Sequence, residues 1–197
     1  LATALYYMDW RDVIQNQQFF GFAATLPIIY NVDSGDAHTQ GIELEVDVAL
    51  TDNLTLHVGG DWNEEAEIES FSQGQFNDIN GNPIAILPGN RLANAPEFSF
   101  NAALDYGFTL GEWNSSARLD FYRVADFFNR ATNELTTKGY YTFNARVALN
   151  SPDGSWRLSL FGRNLTDEVI RYETNEVGTF FGNARTFGVE ATWSLQQ

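Results

Sequence analysis

The stretch Gly41-Ile42-Glu43-Leu44-Glu45-Val46-Asp47-Val48-Ala49-Leu50 decides the fold class. Every even position is apolar, and the odd positions carry Glu43, Glu45 and Asp47 between Gly41 and Ala49. An extended strand sends successive side chains to opposite faces, so this stretch has one apolar and one acidic face. A helix would scatter the same residues around its axis. The pattern resumes after the turn Thr51-Asp52-Asn53. Leu54, Leu56, Val58, Gly60 and Trp62 share one face, and Thr55, His57, Gly59, Asp61 and Asn63 share the other.

Outward from this hairpin the same period recurs. Apolar rows of one parity run through Phe98–Phe108, Trp113–Phe121, Tyr141–Leu149, Trp156–Leu160 and Phe187–Leu195. The opening segment is weaker, with Ala2, Ala4, Tyr6, Met8 and Trp10 on its more apolar side. The chain is thus predicted to be all-β, with eight antiparallel strands. Connections alternate in length. Thr51–Asn53, Thr109–Glu112 and Ser151–Gly154 are short, and Ser151-Pro152-Asp153-Gly154 has tight-turn composition. Those over roughly 15–38, 66–95, 126–138 and 166–183 are long and rich in Asn, Gly, Asp and Gln.

Composition narrows the class. The 197 residues include 11 basic and 26 acidic side chains, a net charge of −15, and no cysteine. Disulfides, a thiol nucleophile and a cysteine zinc site are excluded. The acidic balance argues against a nucleic-acid partner. The apolar content of 44% is too high for a disordered acidic tail. No run of about 18 apolar residues is present, so no spanning helix is expected. The N-terminus has no basic start and does not read as a signal peptide.

Long alternating strands, short turns on one side, long loops on the other and aromatics near strand ends describe an outer-membrane barrel. A soluble β-sandwich also alternates. Its strands are typically about 5–6 residues, shorter than these. In the membrane reading the even face of 42–50 meets lipid; in the sandwich reading it packs on a second sheet. A third reading closes the eight strands into a small barrel of structural or adhesive role, which requires residues 1–14 to pair with 184–195.

Four segments carry a family resemblance. Thr39-Gln40-Gly41-Ile42-Glu43-Leu44-Glu45-Val46, Asn90-Arg91-Leu92-Ala93-Asn94-Ala95-Pro96-Glu97-Phe98-Ser99, Trp156–Glu168 (with Asn164-Leu165-Thr166-Asp167) and Arg185–Trp193 resemble, in order, late barrel strands of TonB-dependent receptors. The resemblance implies a plug domain followed by a roughly 22-stranded transmembrane β-barrel. Residues 1–197 would be a partial barrel, its last eight strands, with the plug and earlier strands lying elsewhere. Ala93 stands where proline is usual, and Leu195 near the place of a terminal aromatic. The implied function is energy-coupled uptake of a scarce nutrient, such as a ferric siderophore, a cobalamin-like molecule or a glycan. The implied location is the outer membrane of a Gram-negative bacterium. The implied partners are the nutrient, TonB through the plug region, and outer-membrane lipid and lipopolysaccharide. A soluble carbohydrate-binding sandwich is the alternative.

No enzyme motif, catalytic residue, metal site or cofactor is expected. His38 reads as a loop residue and His57 as a lumenal one, neither in a metal-binding context. Asn77–Asn82 has faint calcium-loop spacing, but Phe76 and Leu87 occupy ligand positions, so a turn is expected. Asp61, Glu64, Glu65, Glu67 and Glu69 read as a solvated rim. Glu43, Glu45 and Asp47 form a lumenal row, and Arg118, Arg146 and Arg163 can pair with it or with the plug that the resemblance implies. The ligand-binding candidates are loop aromatics: Phe71, Phe76, Phe127, Phe128, Phe180 and Phe181. Phe19, Phe20 and Tyr30 belong to the same class, and all equally suit packing the loops together.

Overall fold

The computed structural model describes residues 1–19, 28–33, 35–70, 76–77, 83–175 and 178–194. Eight strands form one sheet: β1 (Ala2–Trp10), β2 (Ala37–Thr51), β3 (Leu54–Ile68), β4 (Phe98–Leu110), β5 (Trp113–Val124), β6 (Tyr140–Asn150), β7 (Trp156–Arg163) and β8 (Thr186–Trp193). Their order in the sheet is their order in the chain, and every neighbouring pair is antiparallel. The expected number and order of strands is found. β1 and β8 are the two ends of the sheet and do not pair. The closed eight-stranded barrel is therefore not the arrangement observed.

Directly paired residues share a face, so the register sorts the side chains. Ile42 lies opposite Trp62, Val46 opposite Val58 and Val48 opposite Leu56. Leu56 continues to Leu104, Leu104 to Leu119, and Leu119 to Ala145. This face is apolar from edge to edge and uncovered. Leu44 is 41% exposed, Leu160 61% and Val189 73%. Among the described residues the other sheets are four two-stranded hairpins, one in each long connection, so no second sheet packs on it. The sandwich reading fails on this point, and lipid is the solvent that suits such a face.

Aromatic rings border it at both levels. Near the short turns Tyr106 stacks on Phe108 at 5.6 Å and Trp156 on Trp193 at 6.1 Å. Near the long loops Phe121 meets Phe100 at 5.9 Å and Phe143 at 4.8 Å. Amphipathic rings settle at the two membrane–water boundaries.

Two expectations need correction. Ala2, Ala4, Tyr6, Met8 and Trp10 do not lie on the lipid side: Ala4 pairs with Glu43 and Ala2 with Glu45, so this set faces inward. The outward residues are Thr3, Leu5, opposite Ile42, Tyr7 and Asp9. Weak alternation was overridden by pairing with a neighbour whose faces are unambiguous. The acidic run is also not simply a loop rim, because β3 continues to Ile68. Between Trp62 and Glu65 the register slips, so Asn63 and Glu64 face the single residue Gly41. This bulge moves Glu65 and Glu67 to the outer side, opposite Gln40 and His38, while Asp61 stays inside opposite Glu43. Gly41 is required here, since a Cβ would collide with the Trp62 carbonyl and the Tyr6 hydroxyl.

The buried core is small and sits at the loop end. Ala37, Ala66 and Ile68 on the inner face meet Val13, Ile86, Leu92 and Ala131 from the connections. β2 and β3 have 15 residues each, more than the ~9–11 a tilted crossing needs. Their upper ends therefore stand above the lipid as a wall for the loops.

Candidate functional site

The inner face carries a charge ladder crossing four strands. His57 on β3 places Nδ1 2.5 Å from Asp47 on β2 and Nε2 3.3 Å from Asp105 on β4. Asp105 also takes the Arg118 guanidinium of β5 at 2.5 Å, whose Nε lies 2.8 Å from Asp120. Further along, Arg146 reaches Glu190 at 3.2 Å and shares the Phe161 ring with Arg163, at 5.2 and 5.3 Å. The expected lumenal placement of Arg118, Arg146 and Arg163 is thus what the register gives. Their carboxylates are mostly neighbours, however, and not the row Glu43, Glu45. That row lines an open groove of about 610 Å3. Tyr6 donates to Asp61 at 3.2 Å along its margin.

Above the ladder, the connections fold over the inner face and are pinned by side chain to backbone hydrogen bonds. The Arg91 guanidinium donates to Ala95 O at 2.8 Å and Asn63 O at 2.5 Å. Asn133 accepts from Arg91 N at 2.7 Å and donates back to Arg91 O at 2.8 Å, joining the connection after β3 to the one after β5. Asn129 accepts from Thr174 N at 3.0 Å, which ties in the connection after β7. Asn164 donates to Glu168 O and accepts from Glu168 N, both at 2.9 Å, while its own N–H donates to Asn144 at 2.9 Å. Asn94, Asn133 and Asn164 have φ of 57°, 56° and 50°, a region asparagine tolerates better than most residues.

This scaffold borders a cavity of about 510 Å3 that is open on one side. Trp10, Leu92 and Ala95 supply apolar wall, and Asn63, Asn94, Asn129 and Arg130 supply amide and guanidinium groups. An apolar pocket with a few convergent polar groups is the usual form of a small-molecule site. A smaller cavity of about 290 Å3 beside it is lined by Phe127, Tyr122, Tyr140 and Tyr172.

The sequence candidates are distributed as follows. Phe127 and Phe128 lie in a short hairpin with Thr136–Thr137, half-buried. The Phe128 carbonyl accepts from Asn94 N at 2.7 Å. Phe180 and Phe181 are on the hairpin Arg171–Asn175/Gly178–Phe181, 57% and 62% exposed. Phe71 and Phe20 lie outside the described residues, as do Asp78–Asn82 and Leu195; for Phe76, Phe19 and Tyr30 only the backbone strand is described. Sequence reasoning missed Arg91, Asn129, Asn133 and Trp10. Arg91 and Asn164 sat inside the matched motifs, and the structural reason for those motifs is the pinning just described.

His38 is not a loop residue but belongs to β2, on the outer side above the apolar belt. Its Nε2 is 3.0 Å from Glu65 and its Nδ1 2.9 Å from Glu69, the latter at ion-pair distance without hydrogen-bond alignment. The Glu65 hydrogen bond raises its pKa above the ordinary value against the opposing effect of burial. In the connection after β5, hydrogen bonds from Lys138 and the Gly139 N–H hold the Asp126 carboxyl below its ordinary value. Among the described residues no three His, Asp or Glu side chains are grouped to hold a metal ion.

The family model described as TonB dependent receptor-like, beta-barrel matches residues 1–165. Among solved structures, the chain is similar to the ferric yersiniabactin uptake receptor FyuA from Yersinia pestis, with a TM-score of 0.72 at 16% identity, covering 97% of this chain and 27% of that one. The siderophore receptor PiuA from Acinetobacter baumannii gives 0.68 at 17%, covering 96% and 25%. The copper transporter OprC gives 0.65 at 17%, covering 98% and 29%. At such identities the likeness is one of fold. The chain thus spans about a quarter of the length of these structures. No curated protein matches it. The chain belongs to the TonB-dependent receptors, an outer-membrane transport family of Gram-negative bacteria and not an enzyme family, and contributes part of the β-barrel.

Proposed function

We propose that the whole receptor takes up a scarce nutrient, of ferric siderophore type, across the outer membrane. These residues supply eight strands of a barrel wall of roughly 22 in all, together with four outer loops. The observation that carries the reading is the cavity of about 510 Å3 set beneath pinned loops and above a charged lumenal wall. Trp10, Asn94, Asn129 and Arg130 line it. Phe127 and Phe128, with the exposed Phe180 and Phe181, would meet the ligand from above; Phe71 and Phe76 are the sequence candidates in the connection after β3. TonB would act through the plug, whose rearrangement opens the lumen. The acidic lining of the groove, Glu43, Glu45 and Asp61, supports reading it as the surface that would face a cationic part of that plug.

The experiment uses the intact receptor in cells limited for iron. Uptake of labelled ferric siderophore, set against cobalamin and oligosaccharide, is the readout. Trp10→Ala with Phe127→Ala is expected to raise the half-saturating ligand concentration roughly tenfold or more. Wild-type affinity in that variant would remove this cavity as the site. Failure of all three ligand classes to depend on the receptor would remove the nutrient reading.

A further inference from the structure

The outer face has one basic residue among its described strand positions besides His38. Arg123, the penultimate residue of β5, pairs with Phe100 on one side and Tyr141 on the other, so it shares the lipid-facing side with them. It is exposed, and its guanidinium lies over the Phe98 ring at 5.5 Å. Among the described residues no ion pair joins it to a carboxylate, in contrast to Arg118 and Arg146 on the inner face. Its level is the upper aromatic border, where hydrocarbon gives way to headgroups.

A guanidinium at this level is stable only if its head reaches an anion or water while its stem lies along apolar surface. The ring beneath it fixes the plane and leaves the edge free, the geometry for a bidentate bond to phosphate. Three residues before Tyr141 in the chain, Lys138 adds a second cation, 68% exposed and paired with Asp126 at 2.6 Å. The neighbouring sector is of opposite sign. Asp9 opposes His38 on the outer side, with Glu65 and Glu67 beside it. Phosphate would be repelled there and attracted at β4–β6.

We propose that Arg123 is the seat of a phosphate of outer-leaflet lipopolysaccharide, held between Phe98, Phe100 and Tyr141 with Lys138 above it. The receptor then has a single oriented lipid contact in this part of its circumference, facing away from the acidic sector.

The test uses the full-length receptor in nanodiscs, titrated with bisphosphorylated lipid A and with the same lipid stripped of phosphate. The wild type is expected to prefer the phosphorylated form roughly tenfold. Arg123→Gln should abolish that preference and Arg123→Lys should retain part of it. Arg157→Gln, on the inner face, should leave it intact. Equal affinity of the wild type for both lipids overturns the proposal, as does a preference that survives in Arg123→Gln or disappears in Arg157→Gln. If Arg123→Gln does not assemble, the wild-type comparison and Arg123→Lys decide. Nutrient uptake is scored separately, so failure of the lipid seat leaves the transport reading untouched.

Discussion

At its lower end the sheet turns on a few residues; at its upper end the connections are long and carry hairpins of their own. The lower turns are held locally. In the turn after β6, Ser151 and Ser155 donate to Asp153, and Trp156 N donates to Ser151 at 2.9 Å, all within five residues. The upper end is held across the sequence, with Arg91 and Asn133 joined over 42 positions and Asn129 to Thr174 over 45. The difference follows from what each end has to bury. A tight turn closes its own backbone groups. Loops that fold over the lumen carry many polar groups and little apolar area, so amide and guanidinium side chains must satisfy them.

The comparison breaks if the loop pins prove dispensable. Arg91→Ala removes donors to two part-buried carbonyls, while the Asn133 bonds, made to the backbone of residue 91, stay in place. It is expected to cost about 3 kcal/mol and open the upper end to limited proteolysis while the strands stay protected. A melting temperature and cleavage pattern equal to wild type would show that the loops are held by something else. Asn164→Ala should cost about 2 kcal/mol, because it loses the Glu168 bonds and forces alanine to a φ of 50°. Asn164→Gly isolates the hydrogen-bond part of that loss.

Smaller effects sharpen the contrast between held and solvated charges. Arg118 and Asp105 are both nearly half exposed, so a double-mutant cycle should return only about 0.5–1 kcal/mol of coupling. For His38 the folded pKa is raised, so its stabilising pairing is complete below about pH 6.5 and is lost as pH rises through the folded value. Melting curves at pH 5.5 and 9 should differ in the wild type and coincide in His38→Gln once other groups are subtracted. At the lower end Asp153 is depressed to about 2 from 3.8, chiefly by Ser151. Its contribution is complete above pH 3.8 and disappears as pH falls through about 2. Asp153→Asn should remove this acid dependence alone, and an unchanged acid limb would set the turn aside.

The lipid belt was legible because lipid and lumen impose opposite chemistry on alternate residues, as at Ile42–Leu50. The motif residues Gly41, Arg91 and Asn164 were legible as positions but not as roles. Gly41 matters for a collision, and Arg91 and Asn164 for bonds that close a local turn and also reach Asn63 and Asn144 on other strands, a geometry that alternation does not encode. Tyr6, Met8 and Trp10 misled because apolar character was read as lipid exposure. Trp10 lines the cavity and Tyr6 covers Gly41, so their apolarity answers to the interior. Phe127, Phe128, Phe180 and Phe181 were rightly placed in the upper connections. Whether they touch a ligand depends on contacts that alternation does not govern.

The slip at Asn63–Glu64 has a consequence for how such a wall tolerates change. Below it, outward positions of β3 are even; above it, they are odd. Removing one of these two residues would re-phase the four positions from Glu65 to Ile68 and leave Leu54–Trp62 in its lipid frame. The strand is two reading frames spliced at one joint. The membrane can hold the lower frame fixed while the upper one drifts to follow whatever the loops above it must meet.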